Sequence, residues 1–341
     1  MNAKLLEERL KSLVELARES GKRTVFTIST TSKVDVSGFY LTPIRKFSNL
    51  LVSGVVVYSS DIAKLAASRA DGLIDYIFVD AEKKIIGESE SNSVVNIETD
   101  VKRLVNESCC ISYKANDMSV DAADSFVAEI FRRDEVGLGR KKVALIGLGN
   151  IGFKMALKLV ERGAFVHCYR RDQTKLNLMV DSINLVKPRY TLASAVAESS
   201  VIAACKSADI VLGVTNGIGA ITREHLTVIA EGAFVMDIGK GSFSSDASEF
   251  LLERKIPEYR LSIEHIFEGF LEAQISLESR YMAKVGRSVI NGVALVSGGL
   301  SAYDGEVVVD DFRNPKVLYG VGNGRGDFRD LDPQKNQSIK R

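Results

Sequence analysis

Leu6, Leu10, Leu13, Val14 and Ala17 recur at the spacing of one helical face, and Gly21 follows them. The chain is therefore expected to open with an amphipathic helix that stops at the glycine. The period then changes. Short runs rich in β-branched and aromatic residues at 23–29 (RTVFTIS), 51–58 (LVSGVVVY), 73–80 (LIDYIFVD) and 108–113 (SCCISY) are separated by polar stretches and by a helical pattern over 61–69. Runs of that length and composition predict strands, and together they read as a small N-terminal α/β domain over about residues 1–120. A helix predicted from about Ser119 to Arg132 leads out of it.

Beyond 137–140 (GLGR) the alternation becomes regular, with strand-like runs at 142–146, 164–169, 210–214 and 233–238 separated by helical patterns. Such βαβ alternation predicts a parallel sheet, assigned here to a Rossmann domain over 121–260. Ile263, Ile266, Phe267, Phe270, Leu271 and Ile275 mark a further amphipathic helix, and 286–326 is rich in glycine with strand-like runs at 306–309 and 317–321. The third segment, 261–341, is expected to pack back on the cleft between the domains. Its stretch 319–326 (YGVGNGRG) is too glycine-dense for an ordinary helix or central strand, and is expected to close over that cleft with Arg325 offered to an anion. The polar residues from Asp327 onward are expected to be loosely held.

Composition narrows the function. With 45% hydrophobic and 26% charged residues among 341, the chain has the make-up of a globular protein. Forty-five basic against 44 acidic side chains leave a net charge of +1, without the basic excess that nucleic acid or an anionic membrane surface attracts. No apolar run approaches the roughly 18 residues of a membrane span. Cys109, Cys110, Cys168 and Cys205 contain no CxxC pair, so no metal is expected and a reduced, cytoplasmic compartment fits best. The expected partner is a small-molecule substrate, with a homo-oligomer left open.

Residues 143–152 (VALIGLGNIG) carry the sharpest signal, a buried strand running into G-x-G-x-x-G and then a helical pattern. In this context Gly147 permits a tight turn, Gly149 lets the backbone approach a pyrophosphate, and Gly152 lets the helix pack on the strand, with Asn150 and Ile151 between them at the helix start. The next strand ends at Tyr169, where a dinucleotide enzyme specific for NAD places an acid on the ribose about 20 residues past the fingerprint. Here stand Arg170 and Arg171, whose guanidinium groups suit a 2′-phosphate, so the cofactor is read as NADP with NAD as the alternative. Asp172 turned inward to the ribose would instead favour NAD. The strand at 210–214 gives way to the small, polar Thr215, Asn216 and Gly217, placed at the carboxyl edge of the sheet beside the cofactor.

The run 215–239, with Thr-x-Gly, Ile-Thr-x-x-His and Gly-Ala-x-Val-x-Asp-x-Gly, resembles the cofactor domain of S-adenosylhomocysteine hydrolase and of the formate/glycerate and alanine dehydrogenases. A helix entering G-x-G-x-x-G after a smaller α/β domain is also similar to the amino-acid-dehydrogenase-like group, which includes shikimate and methylene-tetrahydrofolate dehydrogenases, and more faintly to pyrrolysine synthase. The resemblance covers about residues 117–255 and implies cofactor binding, without naming a substrate. Arg170 departs from the acid of the hydrolase, and the end of the chain lacks its Lys/Tyr tail.

Hydride transfer also needs a proton donor or acceptor near the nicotinamide. The candidates are Lys114, Asn116 and Asp117, at the end of a strand and before the crossover helix, and Asp237 and Lys240 at the end of a later strand. Asp117 or Ser119 could equally serve only to cap that helix. His167 reads as structural, His225 as either a cofactor-edge or a surface residue, and His265 as a packing or surface residue, while Cys109 and Cys110 read as packing residues. Three activities fit these features: NAD(P)-dependent oxidation or reduction of a small polar carbonyl, imine or alcohol; an enzyme that retains its cofactor and uses transient oxidation; and a non-catalytic nucleotide sensor.

Overall fold

Helix α1 (Ala3–Ser20) buries Leu6, Leu10 and Leu13 and ends at Gly21 with φ +66°, as its apolar stripe requires. The computed structural model describes residues 3–31, 39–83, 96–216 and 219–330. The chain forms two compact units, Met1–Glu268 and Gly269–Arg341.

The first unit contains two sheets. Strands β1 (Arg23–Thr30), β2 (Phe39–Leu41), β3 (Arg45–Lys46), β4 (Leu50–Val57), β5 (Tyr76–Asp80) and β6 (Cys109–Tyr113) form the first, in the order β2-β4-β1-β5-β6 with β3 also on β4. β4, β1, β5 and β6 are parallel, whereas the short β2 and β3 run antiparallel to β4. Nearly every residue of β1 and β4 is buried rather than every second one, as expected for central parallel strands covered on both faces. Helices α2 (Ser60–Ala70) and α3 (Ile97–Lys102) lie in the crossovers. Alanines 63, 66, 67 and 70 form the buried face of α2, small enough to bring it close to the sheet.

Helix α4 (Ala115–Ile130) leads to the second sheet. It begins four residues before the predicted start, so Asn116 and Asp117 lie in its first turn rather than in a loop. Strands β7 (Lys142–Ile146), β8 (Phe165–Tyr169), β9 (Ala195–Ala197), β10 (Ile210–Gly213), β11 (Phe234–Asp237) and β12 (Glu258–Arg260) are all parallel, in the order β12-β11-β10-β7-β8-β9. This is the doubly wound Rossmann order, whose connections reverse direction between β7 and β10 and leave a crevice at their carboxyl ends. Helices α5 (Asn150–Glu161), α6 (Gln173–Val186), α7 (Val201–Cys205), α8 (Arg223–Leu226) and α9 (Ser245–Glu253) connect these strands. Helix α10 (Glu264–Ser276) starts in the first unit and ends in the second.

The second unit carries β13 (Gly286–Ile290), β14 (Val293–Ser297), β15 (Val307–Val309), β16 (Leu318–Gly322) and β17 (Phe328–Arg329), paired in chain order. The expectation that the glycine-dense stretch could not form an internal strand is corrected here, because Leu318–Gly322 lies between β15 and β17. The glycines permit close packing: a Cβ at Gly320 would lie 2.5 Å from the Phe328 ring, and one at Gly322 2.4 Å from the Ala302 Cβ.

Candidate functional site

The crevice between β7 and β10 is shaped by three glycines with three different environments. Gly147 has φ +110°, and a Cβ there would lie 2.4 Å from the Val214 carbonyl oxygen, so the turn leaving β7 presses directly on the chain leaving β10. A Cβ at Gly152 would fall 2.2 Å from the Gly147 carbonyl oxygen, which makes this glycine the condition for seating α5 on the turn. Gly149 is the N-cap of α5, and a Cβ built on it meets nothing within 4 Å. The space before the helix is thus open, and the first N–H groups of a helix have no preceding carbonyl to satisfy them. An anion placed there gains both hydrogen bonds and the favourable end of the helix dipole. The residues present fit a dinucleotide pyrophosphate.

Arg170 follows β8 directly, and its guanidinium donates to the Leu148 carbonyl oxygen at 2.7 Å, so it is latched to the glycine turn itself. A guanidinium has five donors, and others remain for a ligand oxygen. Arg171 beside it is exposed. Asp172 does not turn inward: it is the N-cap of α6, and its carboxylate accepts from the Lys175 backbone N–H at 3.0 Å. That bond holds its carboxyl below the usual carboxylate range. The corner after β8 therefore presents two arginines, while its nearest acid is occupied in a helix cap.

Across the crevice, the ends of β10 and β11 are joined through Ser242. Its hydroxyl accepts from the Thr215 N–H at 3.2 Å, and a Cβ at Gly239 would lie 2.3 Å from the Thr215 carbonyl oxygen. Asp237 is buried and accepts from the N–H groups of Gly241 (2.5 Å) and Ser242 (3.3 Å). Its carboxylate thereby fixes the loop that carries Lys240, an exposed residue in the left-handed region at φ +58°. Asn216 closes the described part of the β10 loop; Gly217 lies outside the described residues.

The other predicted cluster reaches this crevice by the pairing of α4 with α5. Asp117 pairs with Lys154, Asp121 with Lys158 at 3.1 Å, and Asp124 with Arg162 through bonds of 2.6 and 2.9 Å. Acids on one helix and bases on the other, each about one turn apart, align the two helices in parallel and bring their N-termini side by side. The exposed pairs contribute little energy, below about 1 kcal/mol each. The two-point contact of Arg162 with the nearly buried Asp124 contributes more, since charge-assisted bonds bring roughly 1.5–3 kcal/mol. At the top of this ladder, the Asn116 amide donates to the Asn150 side chain at 3.4 Å, and Lys114 lies 3.8 Å from Asp117. Lys114, Asn116 and Asp117 thus stand next to the fingerprint helix. Neither Asp117 nor Ser119 caps α4: Glu82, from the segment after β5, accepts from the Asn116 backbone N–H at 2.9 Å, and Ser119 bonds back to the Ala115 carbonyl.

The histidines are engaged elsewhere. His225 completes a capping box with Thr222 at the start of α8, His167 bonds Glu198 at 2.6 Å, and His265 bonds Ser125 at 3.0 Å. Burial pushes the Cys110 thiol up to about 11 and those of Cys168 and Cys205 to about 12, which removes them as nucleophiles near neutrality. Sequence reasoning missed Glu82, Lys154 and Ser242. The matched spacing of acids at 117, 121 and 124 with bases at 154, 158 and 162 was a usable signal for Lys154; nothing local marked Glu82 or Ser242.

Residues 142–252 match the family model of the NAD binding domain of 6-phosphogluconate dehydrogenase, and the chain accordingly contains an NAD-binding domain of Rossmann type. Among solved structures, one of the subunits of dipicolinate synthase from Bacillus halodurans is similar at 13% identity, over 76% of this chain and 98% of that one, with a TM-score of 0.38. L-tryptophan dehydrogenase from Nostoc punctiforme is similar at 12% identity over 70% of this chain and 69% of that one, with a TM-score of 0.36. D-lactate dehydrogenase from Escherichia coli is similar at 13% identity over 69% of this chain and 81% of that one, with a TM-score of 0.34. No curated protein matches the sequence. Among the described residues, no helix is long and apolar enough to cross a membrane.

Proposed function

We propose that the chain is an NADP(H)-dependent oxidoreductase acting on a small polar metabolite through a carbonyl, imine or alcohol group. The observation that carries this reading is the glycine turn of an NAD-binding domain, open before Gly149 and latched to Arg170, with the 114–117 cluster beside it. In this reading, the backbone from Gly149 to Gly152 holds the pyrophosphate, Arg170 and Arg171 hold the 2′-phosphate, and Thr215 and Asn216 line the nicotinamide side. The bound cofactor supplies or accepts a hydride. Lys114 passes the accompanying proton, with the Asp117 carboxylate drawing its ammonium toward the helix terminus, and Asn116 orients the substrate. Asp237 acts as a positioning residue for the loop that presents Lys240. The resemblance to the cofactor domains of S-adenosylhomocysteine hydrolase and the amino-acid-dehydrogenase-like group accords with this reading.

Calorimetric titration with NADPH and NADH tests it. NADPH is expected to bind more tightly, and joint replacement Arg170→Ala with Arg171→Ala to weaken NADPH by roughly 1.5–3 kcal/mol per charge-assisted bond lost while leaving NADH nearly unchanged. Equal affinities in the native protein overturn the phosphate assignment, and absence of binding by either overturns the whole reading. A metabolite screen that follows NADPH absorbance then tests for turnover; cofactor binding without turnover of any carbonyl, imine or alcohol in the panel counts for the sensor instead.

A further inference from the structure

The two sheets of the first unit have separate cores: Leu10, Phe26 and Ile77 belong to one, Leu145, Leu159 and Leu212 to the other. The chain joins them where β6 runs directly into α4. Helix α4 belongs to the Rossmann body, since its Ala122, Ala123 and Val127 are buried in that core and its acids pair with α5. The N-terminal sheet is therefore a second body on one covalent link, with the contact of Glu82 and Asn116 beside that link. A body fixed at one end rocks unless another contact holds it.

The start of α10 supplies that contact. Glu264, Phe267 and Glu268 stand three and four positions apart, hence on one face of the helix, and all three meet β3 and the turn into β4. The Glu264 carboxylate accepts from the Arg45 guanidinium, 219 positions away, and the Glu268 carboxylate accepts from the Asn49 backbone N–H at 3.3 Å. Buried Phe267 meets the Phe47 ring edge-on, with centroids 6.0 Å apart, and the Arg45 guanidinium carbon lies 5.6 Å from the Phe267 centroid. Neighbouring positions face the Rossmann sheet: Ile263 and Ile266 pack on its core, and His265 bonds the Ser125 hydroxyl of α4 at 3.0 Å. One stretch of chain thus grips both bodies. The grip is unequal, because two apolar side chains enter the Rossmann core, whereas the ion pair on the other side leaves the Glu264 side chain 52% exposed. Salt screens such a pair.

We propose that the first turn of α10 is a latch that holds the N-terminal sheet against the Rossmann body, and that its release between Arg45 and Glu264 opens the mouth of the crevice by letting Glu82 leave Asn116. The inference concerns two bodies of one chain and does not depend on the proposed reaction.

Hydrogen exchange of the intact, cofactor-free chain, read at single amides by mass spectrometry, tests it. The reporter is the Asn116 N–H, which Glu82 holds at the far end from the latch. Glu264→Gln is expected to speed its exchange about fivefold, the factor that corresponds to a surface pair of about 1 kcal/mol. Arg45→Glu combined with Glu264→Arg rebuilds the pair in reverse and is expected to bring the rate back toward the native one, a result that misfolding cannot mimic. Raising the salt from about 0.05 M to about 1 M is expected to move the native rate toward that of Glu264→Gln, and to leave the variant nearly unchanged. An Asn116 rate indifferent to Glu264→Gln overturns the proposal, as does a faster rate confined to the Asn49 amide, which would make the contact purely local. Amides at the centres of β1 and β10 report the fold and are expected to keep their rates. If they too exchange faster in Glu264→Gln, the double reversal decides: restored protection at Asn116 supports the latch, and its absence overturns it.

Discussion

The two parallel sheets of the first unit solve the same problem differently at their carboxyl edges. In the Rossmann sheet the edge is built from backbone: an open turn at Gly149, helix N–H groups behind it, and glycines that let neighbouring loops touch. In the N-terminal sheet the edge is built from side chains that bind each other. Its strand order reverses at β1 and β5, the position that would hold a ligand in a doubly wound fold. There Asp80, buried, accepts from the Thr30 hydroxyl at 2.6 Å and the Glu82 N–H at 3.0 Å, and Ser29 bonds Tyr113 at 2.6 Å. Burial, the largest cause, pushes the Tyr113 phenol well above its usual range. One edge therefore leaves an open backbone turn, whereas among the described residues the other is knitted by side-chain hydrogen bonds and positions Glu82, and through it α4, against the first.

The largest expected effects break this comparison at the glycines. Gly152→Val drives its branched side chain into the Gly147 carbonyl and is expected to cost about 3 kcal/mol of stability or more, read from denaturant unfolding. Gly149→Val faces open space and is expected to cost no more than about 1 kcal/mol, as an altered N-cap does. It should nonetheless lower cofactor affinity about 100-fold or more, near 2.7 kcal/mol. Normal cofactor binding by the Gly149 variant would remove the fingerprint from the site.

A smaller effect is expected at the knitted edge. Asp80→Ala strands the Thr30 hydroxyl and the N–H groups of Thr30 and Glu82, and is expected to destabilise the chain by about 2–3 kcal/mol. Asp80 reaches α4 through Glu82 and not the glycine turn itself, so the affinity of the still-folded variant should change much less than with Gly149→Val. A stability change below about 0.5 kcal/mol, the range of ordinary surface substitutions, would show that the network does not hold this edge.

The smallest effect sharpens the comparison by pH. The Ser112 hydroxyl, then Lys102, hold the Glu98 carboxyl down at about 2, below its ordinary 4.5. A carboxyl lowered on folding stabilises the native state fully above its unfolded value and loses that contribution as pH falls toward the folded one. The N-terminal region is therefore expected to lose stability between about pH 4.5 and 2, and Glu98→Gln to flatten that limb. Identical acid unfolding of the native and variant chains would contradict the assignment.

The sequence alone determined what short-range sterics and periodicity encode. The α1 stripe, the buried strands and the G-x-G-x-x-G turn each draw on neighbours a few residues away, and the pair Arg170-Arg171 was legible because its distance from the fingerprint follows from one βαβ unit. Tertiary structure alone decided which partners those groups met. Asp172 became the N-cap of α6, His225 half of a capping box, and the α4 N-terminus took its cap from Glu82, 34 positions away. The glycine-dense Leu318–Gly322 became an internal strand because Phe328 and Ala302 pack where its side chains would have been. The physical reason is the same in each case: propensity and period are properties of a local segment, whereas a hydrogen-bond acceptor or a packing neighbour from elsewhere in the chain is chosen only when the sheets have formed and the unpaired groups must be satisfied.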